Sequence, residues 1–122
     1  MGTVLLVEDE LLVREMAAED LGEIGFAVTP ASDADEALAI LREGNGFDLL
    51  FTDIRMPGSI DGWELAREAK QMIPALKVIY ATGFGDAGDG LTRDECYVRK
   101  PYNLKDLRRA LGTLGFEEGS EA

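Results

Sequence analysis

Read as apolar and polar positions, the chain switches repeatedly between two periods. Thr3-Val4-Leu5-Leu6-Val7, Phe26-Ala27-Val28-Thr29, Leu49-Leu50-Phe51, Lys77-Val78-Ile79-Tyr80-Ala81-Thr82 and Cys96-Tyr97-Val98-Arg99 are short apolar runs. Contiguous rather than alternating hydrophobics suit strands covered on both faces, as in a parallel sheet. Between the runs, apolar residues recur every three or four positions. Val13, Met16, Ala17, Leu21 and Ile24 outline a first amphipathic helix, which Gly25 ends. Pro30 stops the second strand. Asp33 and Glu36 then form a capping-box pattern that opens a second helix through Ala37, Leu38 and Leu41, broken by Gly44-Asn45-Gly46. Asp61 and Glu64 repeat that pattern before a third helix through Trp63, Leu65, Ala66 and Ala69 to Met72, which ends before Pro74. Asn103 and Asp106 cap a last helix with Leu104, Leu107, Leu111 and Leu114 on one face.

One interval breaks the rhythm. Gly83, Gly85, Gly88 and Gly90 crowd the stretch after the fourth strand, and interior glycines each cost a helix about 1 kcal/mol relative to alanine. No regular helix is expected over 83–95, and at most one helical turn over Leu91 to Glu95. The strand–helix alternation elsewhere predicts an α/β domain over 1–116: a doubly wound, five-stranded parallel sheet with helices on both faces. The acidic, small-residue segment 117–122 is expected to be a flexible tail.

Composition narrows the function. The 122 residues are 46% hydrophobic and 30% charged, which is ordinary for a globular domain. No apolar run is long enough for a membrane helix, so no membrane partner is expected. Acids outnumber bases 24 to 12, giving a net charge of −12, which argues against nucleic acid and for a divalent cation or a basic protein face. Histidine is absent, excluding His-based metal sites and Ser-His-Asp triads. The single cysteine, Cys96, excludes an internal disulfide and fits a reducing cytoplasm.

Chemistry-bearing residues gather at strand ends. The first strand ends at Glu8-Asp9, the third at Asp53, the fourth at Thr82 and the fifth at Lys100-Pro101. Open α/β sheets bind ligands outside the carboxyl ends of their strands, and in the flavodoxin-like order 2-1-3-4-5 the first and third strands are neighbours. Three carboxylates would share one cleft there, and a hard oxygen-seeking cation, Mg²⁺ above all, would relieve their repulsion. No Gly-x-Gly-x-x-Gly follows the first strand, so a dinucleotide site is not expected. Plainer roles exist for each residue: turn or helix-dipole acids for Glu8-Asp9-Glu10 and Asp53, a strand threonine for Thr82, a solvated lysine for Lys100, core packing for Tyr97 and Trp63.

Taken together, Val7-Glu8-Asp9-Glu10, Asp53-Ile54-Arg55-Met56-Pro57 with Asp61-Gly62, Ala81-Thr82-Gly83 and Tyr97-Val98-Arg99-Lys100-Pro101-Tyr102 resemble the receiver domain of two-component response regulators. Tyr80-Ala81-Thr82-Gly83-Phe84 is similar to the Phe-Ala-Thr-Gly-x-Tyr run of a single-domain subgroup. The resemblance implies that Asp53 accepts a phosphoryl group from a histidine kinase or phosphotransfer protein. It implies Mg²⁺ held by Glu8, Asp9, Asp53 and the backbone carbonyl of Arg55. Thr82 and Lys100 would bind phosphoryl oxygens, Tyr97 would act as a rotamer switch, and a cis bond before Pro101 would aim Lys100 into the cleft. Such a domain catalyses its own phosphorylation and slow dephosphorylation without being a classical enzyme. It would signal by protein contact or act as a phosphate sink. Similar receivers also occur within hybrid sensor kinases. The chain departs from the family pattern in a Met56–Gly62 loop one residue longer than usual and in a fourth helix shortened or absent.

Two other function classes compete. A Mg²⁺-dependent phosphatase also uses a strand-end Asp nucleophile, but usually carries a second acid two residues on, where this chain has Arg55. A receiver-like module that binds partners without being phosphorylated would not need the complete acid, threonine and lysine set. No output module is expected after the last helix, and the downstream partner is not legible.

Overall fold

In the computed structural model, which describes residues 2–83 and 91–116, the elements run β1 (Gly2–Val7), α1 (Leu11–Ile24), β2 (Phe26–Ala31), α2 (Ala34–Arg42), β3 (Leu49–Asp53), α3 (Gly62–Met72), β4 (Lys77–Thr82), β5 (Glu95–Arg99) and α4 (Leu104–Thr113). The sheet is parallel throughout, in the order β2-β1-β3-β4-β5. Successive strand residues point to opposite faces, so each apolar run feeds two cores. Leu5, Val7, Leu50, Val78 and Tyr80 pack with residues of α2 and α3. Val4, Leu6, Phe51, Ile79 and Val98 pack with residues of α1 and α4. All five residues of β3 are buried, as its contiguous run requires of a central strand.

The helix starts are set by local chemistry. Asp33 accepts from the Glu36 N–H (2.8 Å) and Asp61 from the Glu64 N–H (3.0 Å), capping α2 and α3. Among the described helices the full reciprocal box forms only at α4, between Asn103 and Asp106. Glu36 instead accepts from Ser32, and Glu64 pairs with Arg67, so the two expected boxes are half-formed. Gly25, at φ 129°, ends α1 in a conformation that favours glycine.

The structure corrects two expectations. Pro30 does not stop the second strand. β2 continues to Ala31, with Pro30 opposite Leu6. β2 is an edge strand, where a residue without an N–H costs no ladder bond. Met16 is 66% exposed rather than core. The buried stripe of α1 is Ala17, Leu21 and Ile24, and at about 100° per residue Met16 lies off it.

Among the described residues no helix stands between β4 and β5. Thr92 and Asp94 lead directly into β5, held by Lys70 Nζ to Glu95 Oε2 (2.7 Å) and Lys77 Nζ to Asp94 Oδ1 (3.0 Å). The rest of the glycine-rich stretch, 84–90, and the expected tail, 117–122, lie outside the described residues. No described helix is long and apolar enough to cross a membrane.

Candidate functional site

Strand register brings the marked residues together. Val7 stands opposite Thr52, so Glu8 and Asp53 leave the sheet side by side. Asp53 pairs with Ala81, one residue before Thr82. Thr82 pairs with Arg99, one residue before Lys100, and the Lys100 N–H donates to the Thr82 carbonyl (2.8 Å). The Lys100–Pro101 peptide is cis. Lys100 Nζ lies 2.7 Å from Asp53 Oδ1 and 3.1 Å from Glu8 Oε1. One carboxylate oxygen each from Glu8, Asp9 and Asp53 lie within 4.8 Å of one another. Glu8 and Asp53 are buried and Asp9 is exposed. Asp53, Arg55, Ala81, Gly83 and Lys100 line a cavity of about 170 Å³.

The electrostatics are those of crowded acids around one ammonium. Burial pushes the Asp53 carboxyl up to about 8; the facing Glu8 carboxyl adds to this, and Lys100 opposes it. Burial also raises Glu8, but its contacts with Asp53, the Glu10 N–H and Lys100 bring it net below the usual carboxylate range. Burial lowers Lys100, yet Asp53 and Glu8 outweigh it and hold the ammonium charged. Neither Asp53 oxygen has a well-aligned hydrogen-bond donor among the described residues: both are buried, and Oδ1 lies against the Lys100 ammonium as an ion contact. Buried carboxylate oxygens left in this way are costly. A hard cation reached from the exposed Asp9 side would satisfy them, so the donor set fits Mg²⁺.

The other predicted residues are placed differently. The Thr82 hydroxyl is buried at the end of β4 but donates to the Gly83 carbonyl (3.0 Å). Arg55 is exposed at the rim. Tyr97 is outside the cleft, on the α3 face, with its ring 6.0 Å from that of Trp63 and 5.9 Å from that of Tyr80.

Two contributors have roles that the sequence did not assign: Gly62, quoted above only as part of a motif, and Arg14. Gly62 donates its N–H to the Ile54 carbonyl (2.7 Å), and a Cβ there would stand 2.0 Å from the Asp53 carbonyl oxygen. Only glycine lets α3 press against the strand end that presents Asp53. A glycine directly after the Asp61 cap, at a helical position it disfavours, was the available signal. Arg14, one turn into α1, donates from Nη1 to the Glu8 carbonyl (2.8 Å); nothing in its sequence context distinguishes it from a solvated helix arginine.

Residues 4–112 match the family model of the response regulator receiver domain. The chain belongs to that family. It is 37% identical over 111 residues to the response regulator receiver protein CpdR of Brucella abortus, covering 88% of this chain and 91% of that one. It is 36% identical over 113 residues to the sensor kinase CckA of the same organism, covering 87% of this chain but only 12% of that protein. Among solved structures, the response regulator TrrA of Thermotoga maritima, determined in complex with Mg²⁺-BeF, superimposes with a TM-score of 0.79 at 35% identity, over 93% of this chain and 99% of that one. As a receiver domain, this chain has the family's parallel 2-1-3-4-5 sheet and, at its carboxyl edge, the acidic pocket that receivers use.

Proposed function

We propose that this receiver takes a phosphoryl group onto Asp53, with Mg²⁺ held by Glu8, Asp9, Asp53 and the Arg55 carbonyl, and that the donor is the phosphohistidine of a kinase or phosphotransfer protein. The observation that carries the reading is the buried Asp53 carboxylate with Lys100 Nζ at 2.7 Å and two further acids around it. A carboxylate oxygen of Asp53 attacks phosphorus, the phosphorus–nitrogen bond of the donor breaks, and the imidazole leaves with the electron pair, giving an acyl phosphate. Positioning and charge neutralisation dominate such a transfer. Held by Glu8, Asp9, Asp53 and the Arg55 carbonyl, Mg²⁺ would supply positive charge near the phosphoryl oxygens. Lys100, already paired with Asp53, moves its ammonium charge to an oxygen of the arriving group. Thr82 gives up its bond to the Gly83 carbonyl and donates to another.

A protein donor is supported by α1. Leu11, Leu12 and Met16 are 57%, 73% and 66% exposed, and Met16 lines a groove with Val13, Asp20, Lys100, Pro101 and Tyr102 that adjoins the Asp53 cleft. Exposed apolar patches of this kind mark protein contacts. The output runs through Tyr97, which differential contacts in two states would move, and the domain signals by protein contact or serves as a phosphate sink.

The test is mass spectrometry after incubation with acetyl phosphate and Mg²⁺. One added phosphate on the wild type and none on Asp53→Asn is the expected result; equal labelling of both would overturn the assignment. For the output, Thr82→Ala should still accept phosphate while producing smaller NMR shifts around Tyr97 than the wild type.

A further inference from the structure

Glu8 is held at four points. Its N–H donates to the Ala31 carbonyl (3.1 Å), and its Oε1 pairs with Lys100 Nζ (3.1 Å). Its Oε2 accepts from the Glu10 N–H (3.0 Å), and its carbonyl accepts from Arg14 Nη1 (2.8 Å). Three of these holds come from the strand framework, the turn itself or the site lysine. The fourth comes from a helix side chain that has no other place in the proposed chemistry. It acts on the peptide that joins Glu8 to Asp9.

The start of α1 differs from those of the other helices. Asp33, Asp61 and Asn103 cap α2, α3 and α4 with their side chains, whereas Glu10, the N-cap of α1, makes no side-chain cap bond. The helix that begins at the acidic turn therefore lacks the local clamp that fixes the others. Its own first backbone bond, from the Arg14 N–H to the Glu10 carbonyl (2.9 Å), comes from the residue whose side chain reaches back to Glu8. Arg14 thus fastens both ends of the turn, Glu8 through its guanidinium and Glu10 through its backbone. Asp9, exposed between them, has its backbone orientation set by those two bonds.

We propose that Arg14 is a positioning residue for the cation site: its guanidinium fixes the Glu8–Asp9 peptide so that the Asp9 carboxylate faces Asp53. The inference rests on the reading of Glu8, Asp9 and Asp53 as a Mg²⁺ site. It assigns Arg14 no contact with the ion or the phosphoryl group. Partners that orient metal ligands from outside typically change affinity 10–100-fold when removed.

The test is calorimetric Mg²⁺ titration of the full chain as wild type, Arg14→Met and Arg14→Lys, with thermal melting in chelator as a parallel measurement. Arg14→Met keeps the aliphatic stem and helix propensity but deletes the donor; Arg14→Lys restores a cationic donor of similar reach. The expected result is a Kd for Mg²⁺ raised at least tenfold in Arg14→Met and largely recovered in Arg14→Lys. Asp53 labelling by acetyl phosphate should require correspondingly more Mg²⁺ in Arg14→Met, yet reach a near-wild-type rate at saturation. A merely structural arginine would lower the melting temperature and leave Kd in place. Wild-type affinity in Arg14→Met, whatever its melting temperature, would overturn the inference alone. Absence of Mg²⁺ binding by the wild type would overturn the metal-site reading as well.

Discussion

At the scale of the residue, the site is a buried carboxylate held beside an ammonium at some cost to the fold. Asp53 has an ordinary value of 3.8 and is pushed up to about 8, burial being the largest cause. Between those values the metal-free folded protein keeps a proton that the unfolded chain releases. The stability lent by that proton is full below about pH 4 and is lost as pH rises through about 8. Asp53→Asn, which never carries the charge, should therefore melt higher than the wild type in chelator at neutral pH. The gap should widen from pH 4 to pH 8 and shrink when Mg²⁺ is added. Parallel melting profiles across that range would contradict the upward shift of the buried Asp53 carboxyl. Gly62 poses the opposite problem, in which backbone geometry outweighs propensity. Alanine there would gain up to about 1 kcal/mol as a helix former. Its Cβ, however, would sit 2.0 Å from the Asp53 carbonyl oxygen, a backbone atom that cannot swing away. Such overpacking costs about 1–3 kcal/mol. Gly62→Ala should show a net loss of stability in urea unfolding, with displaced amide resonances at Asp53 and Ile54. A stability gain would mean that α3 shifts freely.

At the scale of the element, burial decides which ion pairs hold the structure together. Lys70 Nζ to Glu95 Oε2 (2.7 Å) joins α3 to the start of β5, with side chains 22% and 12% exposed. Arg42 to Glu68, at 3.9 Å with 63% and 32% exposed, joins α2 to α3. Lys70→Ala leaves Glu95 with the Tyr80 hydroxyl and the Thr92 N–H in place of its ammonium. The loss should be about 1–3 kcal/mol. Arg42→Ala should stay within about 0.5 kcal/mol, because exposed pairs contribute little. The difference in urea midpoint between these two variants checks the ranking, and equal losses would refute it. Burial raises Glu95, but Lys70 and the Thr92 N–H outweigh it, so its folded value lies below the ordinary 4.5. The stability it contributes is present above that value and lost as pH falls. Lys70→Ala should accordingly blunt the acid limb of the melting profile.

At the scale of the whole molecule, a net charge of −12 on 122 residues makes self-repulsion a general destabilising term. Raising ionic strength from 0.01 M to 0.15 M shortens the screening length from roughly 30 Å to about 8 Å. The metal-free melting temperature should rise over that interval, and a fall would show that attractive surface pairs dominate instead. At this scale the division between sequence and tertiary structure is also visible. The chain by itself determined the strands, because their apolar runs must be covered on two faces, and the starts of α2, α3 and α4, because Asp33, Asp61 and Asn103 cap them locally. It also determined which residue types stand at the strand ends, and through them the family. Such signals are local: they say which face of an element is apolar and where it stops. They do not say which element lies beside it. Only the assembled sheet set Val7 opposite Thr52 and Asp53 opposite Ala81, bringing Glu8, Asp53 and Lys100 into contact across nearly the whole chain. Sheet position allowed Pro30 into an edge strand, and helix packing left Met16 outside. The turn of the Thr82 hydroxyl toward Gly83, the need for glycine at 62 and the grip of Arg14 on Glu8 were likewise decided by the fold. Each depends on distances between groups from separate elements or turns, and no periodicity along the chain encodes those distances.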